Sequence, residues 1–142
     1  MNKVLSLCVL GAATMTFAIA AQAAEKKFEV AMTESQEVPP KDGKGTGTAA
    51  FTFDPATKQL TWSITTKDLS TDAMAAHIHG PAAPGSNAGV VVNLAPNGMS
   101  NPLKGSATLT DDQVKDLMAG KDYVNVHTSK NPGGEIRGQI TP

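Results

Sequence analysis

The sequence has one cysteine, Cys8, among its 142 residues, and few aromatic side chains: four Phe, one Trp and one Tyr. A lone thiol cannot close a disulfide within the chain, so cohesion must come from a packed core or a bound ion. Five aromatics follow residue 23: Phe28, Phe51, Phe53, Trp62 and Tyr123. Phe51, Phe53 and Trp62 read as core residues, and so small a set argues against a carbohydrate-binding aromatic platform. Basic patches are missing too. No basic run exceeds Lys26-Lys27, which leaves no electrostatic footprint for nucleic acid or anionic lipid. No serine or cysteine stands in a recognisable nucleophile setting, and no pair of carboxylates is placed by pattern. Gly133-Gly134 lacks the following helix that a phosphate loop needs.

The one long apolar run is at the start. Lys3 supplies a positive n-region, Val4 to Ala20 carries no charge, and Ala21-Gln22-Ala23 fits a small-x-small cleavage site. Residues 1–23 therefore read as an export signal, with a mature chain 24–142 beginning at Ala24 or Glu25. The apolar part is short for a bilayer span, and no membrane span is expected in the mature chain. Cys8 leaves with the signal, so the mature protein has no thiol. The expected location is the periplasm or outside the cell. Loss of Lys3 leaves 11 basic against 13 acidic residues, a formal charge of -2. The remaining 119 residues suffice for one small domain.

Within that domain the apolar period is two. Phe28, Val30 and Met32 alternate with other residues, then Ala49, Phe51 and Phe53, then Leu60, Trp62 and Ile64. Asp54-Pro55-Ala56-Thr57 sits between the last two groups with proline in its favoured turn position, which predicts a hairpin. Pro39-Pro40 keeps the Glu34–Gly47 stretch out of regular pairing, so a loop past a sheet edge is expected there. Further extended segments are predicted at 73–79, 90–94, 104–110, 123–128 and 135–140. One helix signal interrupts them: Thr110 with Gln113 makes a capping box, Asp111 and Asp112 suit the positive terminus, and Gly120 ends the segment. Eight short strands and one short helix predict an all-β fold, a Greek-key-like antiparallel β-sandwich or partly closed barrel.

Two of these segments carry all the histidines. In Ala76-His77-Ile78-His79 and in Tyr123-Val124-Asn125-Val126-His127 the apolar residues share one parity and the imidazoles take the other. Residues i and i+2 of a strand project from one face, roughly 6.5–7 Å apart at Cα, so two rings can converge on one ion and a third from a neighbouring strand can join them. Imidazole suits copper, zinc, nickel and iron, and the affinity order favours copper, with zinc as a weaker alternative. His77, His79 and His127 are thus candidate ligands. Glu135, Asp72, Asn125 and Arg137 are candidates for a supporting or extra ligand role, and Met74, Met32 and Met99 for a sulfur ligand, though Met74 shares the parity of Ala76 and is expected in the core. The competing reading makes the three rings hydrogen-bonding posts for the Gly80–Gly89 and Asn131–Gly134 loops. On the second hairpin, pairing of Asn125 with Arg137 and His127 with Glu135 puts opposed residues on one face, as a two-residue slip also would; Glu135 and Arg137 read as a cross-strand or loop-bracing pair, with a substrate clamp as the alternative.

Three ordered stretches carry a family likeness: Ala76-His77-Ile78-His79-Gly80-Pro81-Ala82, Gly105-Ser106-Ala107-Thr108-Leu109-Thr110, and Tyr123-Val124-Asn125-Val126-His127-Thr128 continued by Asn131-Pro132-Gly133-Gly134-Glu135-Ile136-Arg137-Gly138-Gln139-Ile140. From Phe28 to Ile140 the chain resembles the CHRD family, the domain first recognised in chordin and common in small exported bacterial proteins. The resemblance implies a β-sandwich and supplies no catalytic set. The His-Ile-His strand is also similar to the copper-ligand strand of copper–zinc superoxide dismutases. The bridging histidine, the remaining zinc ligands and the structural disulfide have no counterpart here, so that likeness is one of local geometry.

The expectation is a noncatalytic exported binding domain whose partner is a metal ion, copper first, or an unidentified envelope protein. A structural or adhesive surface module using its loops without metal is the first alternative, and oligomerisation without metal dependence would distinguish it. A small copper-dependent oxidoreductase is the second.

Overall fold

Apolar side chains at every second position can be buried together only if the chain is extended and paired. The computed structural model describes residues 23–142 and shows that outcome. Cys8 and nearly all of the expected export signal 1–23 lie outside the described residues. Strands β1 (Lys26–Thr33), β2 (Thr46–Asp54) and β3 (Gln59–Lys67) form a meander. Between β2 and β3 the Asp54 carboxylate accepts from the Ala56 amide and the Thr57 hydroxyl, which fixes the turn. Then come β4 (Ala73–His79), β5 (Val90–Asn93), β6 (Leu103–Thr108), helix α1 (Asp111–Met118), β7 (Tyr123–Thr128) and β8 (Ile136–Gln139).

All pairings are antiparallel, in one sheet of order β5-β4-β7-β8-β1-β2-β3-β6. The two halves meet at a narrow junction, where the β1–β8 register consists of Thr33 opposite Arg137. Four strands stand on either side, and the connections β3–β4, β5–β6 and β6–β7 cross between them. The apolar faces close on each other: Trp62 Nε1 on β3 donates to the Leu94 carbonyl just beyond β5, at 3.2 Å. The fold is a nearly closed antiparallel barrel or sandwich with one short helix, as the strand pattern predicts.

The core is assembled from the alternating residues. Phe51 lies opposite Trp62 and Phe53 opposite Leu60, and all four are buried. On β6 the residue opposite Trp62 is Gly105, and a Cβ there would meet the indole ring at 2.5 Å. The missing side chain is the space that the indole fills. Helix α1 starts where its capping box predicts: Gln113 N donates to Thr110 Oγ1 and Thr110 N to Gln113 Oε1. Leu117 is the residue that it buries.

One expectation about packing needs correcting. Met74 is 64% exposed, although its parity with Ala76 places it in the core. A register shift between Ala73 and Ala75 breaks the alternation just before Ala76, so parity cannot be carried back through it. The face of β7 and β8 opposite the apolar core is covered: Tyr123, Asn125 and Arg137 are buried there, beneath the loops that follow β1 and β4.

Candidate metal centre

Register brings the histidines together. The β4–β7 pairing sets Ala75 opposite His127, His77 opposite Asn125 and His79 opposite Tyr123. The β7–β8 pairing sets Asn125 opposite Arg137 and Tyr123 opposite Gln139. Directly opposed residues share a face, so these side chains form one polar patch three strands wide. Ala76, Ile78, Val124 and Val126 project from the other side into the core.

His77, His79 and His127 are partly buried, and one ring nitrogen from each lies within 4.8 Å of the others. Two nitrogens bound tetrahedrally to one ion at about 2.0–2.1 Å stand about 3.4 Å apart. The hydrogen bonds also fix which nitrogens are available. His79 Nδ1 is 3.0 Å from the Ala88 carbonyl and His127 Nδ1 is 2.9 Å from the Pro132 carbonyl. A carbonyl oxygen only accepts, so both Nδ1 atoms carry the proton and both Nε2 atoms carry a lone pair. His127 Nε2 faces His77 Nδ1 at 3.0 Å, which makes His77 Nδ1 the donor in that pair. His79 Nε2 is buried and has no hydrogen-bond partner. A backbone carbonyl on the far nitrogen and a lone pair directed at the cluster is the arrangement that metal-ligating imidazoles use.

The electrostatics favour neutral rings at His77 and His79. Burial lowers the pKa of His77 below the usual 6.5, with His127 and His79 adding repulsion. Burial also lowers that of His79, against the Ala88 hydrogen bond and together with the charges of His127 and Arg137. Neutral imidazole is the form that binds metal.

The other candidate residues divide. Asn125 lies on the same face, opposite His77; its Nδ2 donates to Glu37 Oε1 at 2.7 Å and its buried Oδ1 receives nothing. Arg137 sits 3.4 Å above the centre of the Tyr123 ring, whose plane stacks on His79 at a 5.0 Å centroid distance. Glu135 and Asp72 do not join the histidine group. The Glu135 carboxylate is taken up by Ser70, Thr128 and Asn131, and no salt bridge links it to Arg137 among the described residues. The His127–Glu135 pairing is also not part of the ladder, which ends with Val126 opposite Ile136. Asp72 is exposed. Met32 is buried in the core and Met99 packs against it.

Two contributors escaped the sequence reading. Tyr123 backs His79, and its hydroxyl bonds both the carbonyl and the amide of Ala88, the residue whose carbonyl orients His79. Glu37 reaches the patch from the loop after β1. Its polar loop context gave no sign of burial.

Comparison with known proteins gives one finding. The family described as the CHRD domain matches residues 28–140. No curated protein and no solved structure matches.

Proposed function

The chain belongs to the CHRD domain family, and from that premise we propose that it is an exported, noncatalytic metal-binding domain whose ion is copper. His77, His79 and His127 form a cluster that can hold a metal ion; the choice of copper is the further step. What supports it is an all-imidazole donor set with no thiolate, for which the affinity order of divalent ions peaks at copper. The single observation that carries the metal reading is the buried, unpartnered lone pair of His79 Nε2 beside the two other rings. Export rests on the Lys3–Ala23 pattern.

Isothermal titration with Cu(II) and with Zn(II) tests the reading on wild type and on His77→Ala, His79→Ala and His127→Ala. The expected result is one Cu(II) per chain, weaker Zn(II) binding, and loss of most of the tight binding in each variant. Affinity falls as pH drops through the lowered values of His77 and His79, below the ordinary histidine range, because protons compete for the same lone pairs. Wild-type stoichiometry far below one, or tight binding that survives His127→Ala, overturns the three-histidine site.

One observation favours a second reading. The Nδ1 atoms of His79 and His127 tether the loops at Ala88 and Pro132, as structural posts would. If that were their whole role, wild type would bind metal no better than the variants, and the variants would unfold more easily in urea.

A further inference from the structure

On the same polar face, over β8, a concavity of about 310 Å³ opens between the loop after β1 and the loop after β4. That is the lower end of the range for small-molecule sites, roughly 300–1,000 Å³. Two opposite charges line it, Glu37 and Arg137, only 5% and 2% exposed. Buried opposite charges gain most by direct pairing. These two form no salt bridge among the described residues.

Each is held from behind instead. Asn125 Nδ2 grips Glu37 Oε1, in space that exists because Gly134, at φ +126°, has no Cβ. Arg137 Nη1 donates to Asn87 Oδ1 at 3.0 Å and Nη2 to the Ser86 carbonyl at 2.7 Å, while its plane rests on Tyr123. Those bonds use two of the five guanidinium donors. Gln139 completes the lining. Its Nε2 serves the Ala82 and Gly120 carbonyls, which leaves Oε1 buried without a donor.

We propose that this concavity binds a free α-amino acid as its zwitterion. The ammonium group meets Glu37, the carboxylate meets the spare donors of Arg137, and an apolar side chain lies against Val38, Pro40 and Pro84. A lone cation would meet the charge of Arg137, and a lone anion that of Glu37; a dipolar ligand satisfies both at once. Burial raises the pKa of Glu37, and the Arg137 charge and the Asn125 bond offset this only in part. An arriving ammonium supplies the partner that the carboxylate lacks. The site does not depend on the metal reading, and it is tested on metal-free protein.

The experiment is a titration of the ¹⁵N-labelled full chain with L-valine, followed by amide chemical shifts. Two analogues run beside it, isobutylamine without the carboxylate and 3-methylbutanoate without the ammonium. Valine is expected to shift the amides of Glu37, Val38, Gly85, Arg137 and Gln139 saturably. Each analogue lacks one charged hydrogen bond and binds at least about tenfold more weakly. Glu37→Gln keeps an acceptor for Asn125 and loses about tenfold in valine affinity by the same arithmetic. Should that variant misfold, the analogue comparison on wild type still decides. Absence of saturation in the millimolar range, an analogue that matches valine, or a folded Glu37→Gln variant that binds as wild type does would each overturn the proposal.

Discussion

Asp122 stands between α1 and β7, 2% exposed, and its Oδ1 receives no hydrogen bond. The backbone holds it in place. Its carbonyl accepts from Ile140 N at 2.9 Å, the neighbouring Lys121 carbonyl accepts from Ala82 N at 2.6 Å, and the carboxylate fills the space beside Gly80 that a side chain there would need. Burial first, and the negative charge of Asp116 second, raise its pKa from 3.8 to about 6. The native state therefore holds this proton more tightly than the unfolded chain does. The resulting stability is fully present below pH 3.8 and is lost as pH rises through about 6. At about 1.4 kcal/mol per unit, the difference above that window is up to roughly 3 kcal/mol. Asp122→Asn removes the ionisation but still buries a polar amide, so the variant gains roughly 1–3 kcal/mol at about pH 7.5. The gain shrinks towards zero near about pH 3.5, where both side chains are neutral. Urea titrations across that range measure it as a change in midpoint at constant slope. His77 and His79 titrate in both proteins and cancel in the difference. A variant less stable than wild type at the higher pH, or a difference that does not vary with pH, would refute the argument.

Glu135 has the opposite sign. Burial pushes its pKa up, but the hydroxyls of Ser70 and Thr128, the Ser70 amide and Asn131 outweigh it and bring the value to about 2. Its stability is present above pH 4.5 and is lost as pH falls towards about 2. Glu135→Gln should cost roughly 2–3 kcal/mol near neutrality, with the deficit narrowing below pH 4.5 in thermal melts; a deficit that stays constant through that window would contradict the charge-based account. Trp62→Ala should cost roughly 3–5 kcal/mol in urea, and a loss under about 1 kcal/mol would mean that the indole does not fill the core. Gly105→Ala should cost roughly 1–3 kcal/mol by overpacking the opposed indole, and a neutral result would place Trp62 elsewhere.

Where one face of a strand meets the core, alternation alone was enough to read the structure. Ala49, Phe51, Phe53, Leu60, Trp62 and Ile64 all went where parity put them, because a one-residue slip would expose the whole set. The three histidines were found by the same rule, as the residues left on the other parity. Met74 was misplaced because the shift between Ala73 and Ala75 has no signal in side-chain type. The cover over the polar face was illegible for a different reason. Glu37, Ser86 and Asn87 lie in loops of polar, Pro- and Gly-rich composition, and composition does not say where a loop lies down. Only the tertiary structure brings Glu37 to Asn125, 88 positions away, and Asn87 to Arg137, 50 away.

Ligand and structural post were competing descriptions of the histidines only while each ring was treated as one group. An imidazole has two nitrogens, and in this fold they are divided. On His79 and His127 the Nδ1 proton is spent on a loop carbonyl; His127 Nε2 faces His77, and His79 Nε2 is buried without a partner. Each function assists the other. A tethered Nδ1 holds the ring in one tautomer and one rotation, which removes part of the entropy that an ion would otherwise have to overcome in ordering it. The loops fixed in this way are not incidental. Ala88 bonds the Tyr123 hydroxyl, and that ring carries His79 on one side and Arg137 on the other. The same stack runs from the histidine cluster to the guanidinium at the second concavity, so the two proposed sites share the Tyr123 ring. A His→Ala change that removes both nitrogens therefore cannot separate holding a loop from binding an ion. Paired titrations with metal and with urea can, because urea reads the Nδ1 tether in metal-free protein while an ion competes with protons only for the Nε2 lone pair.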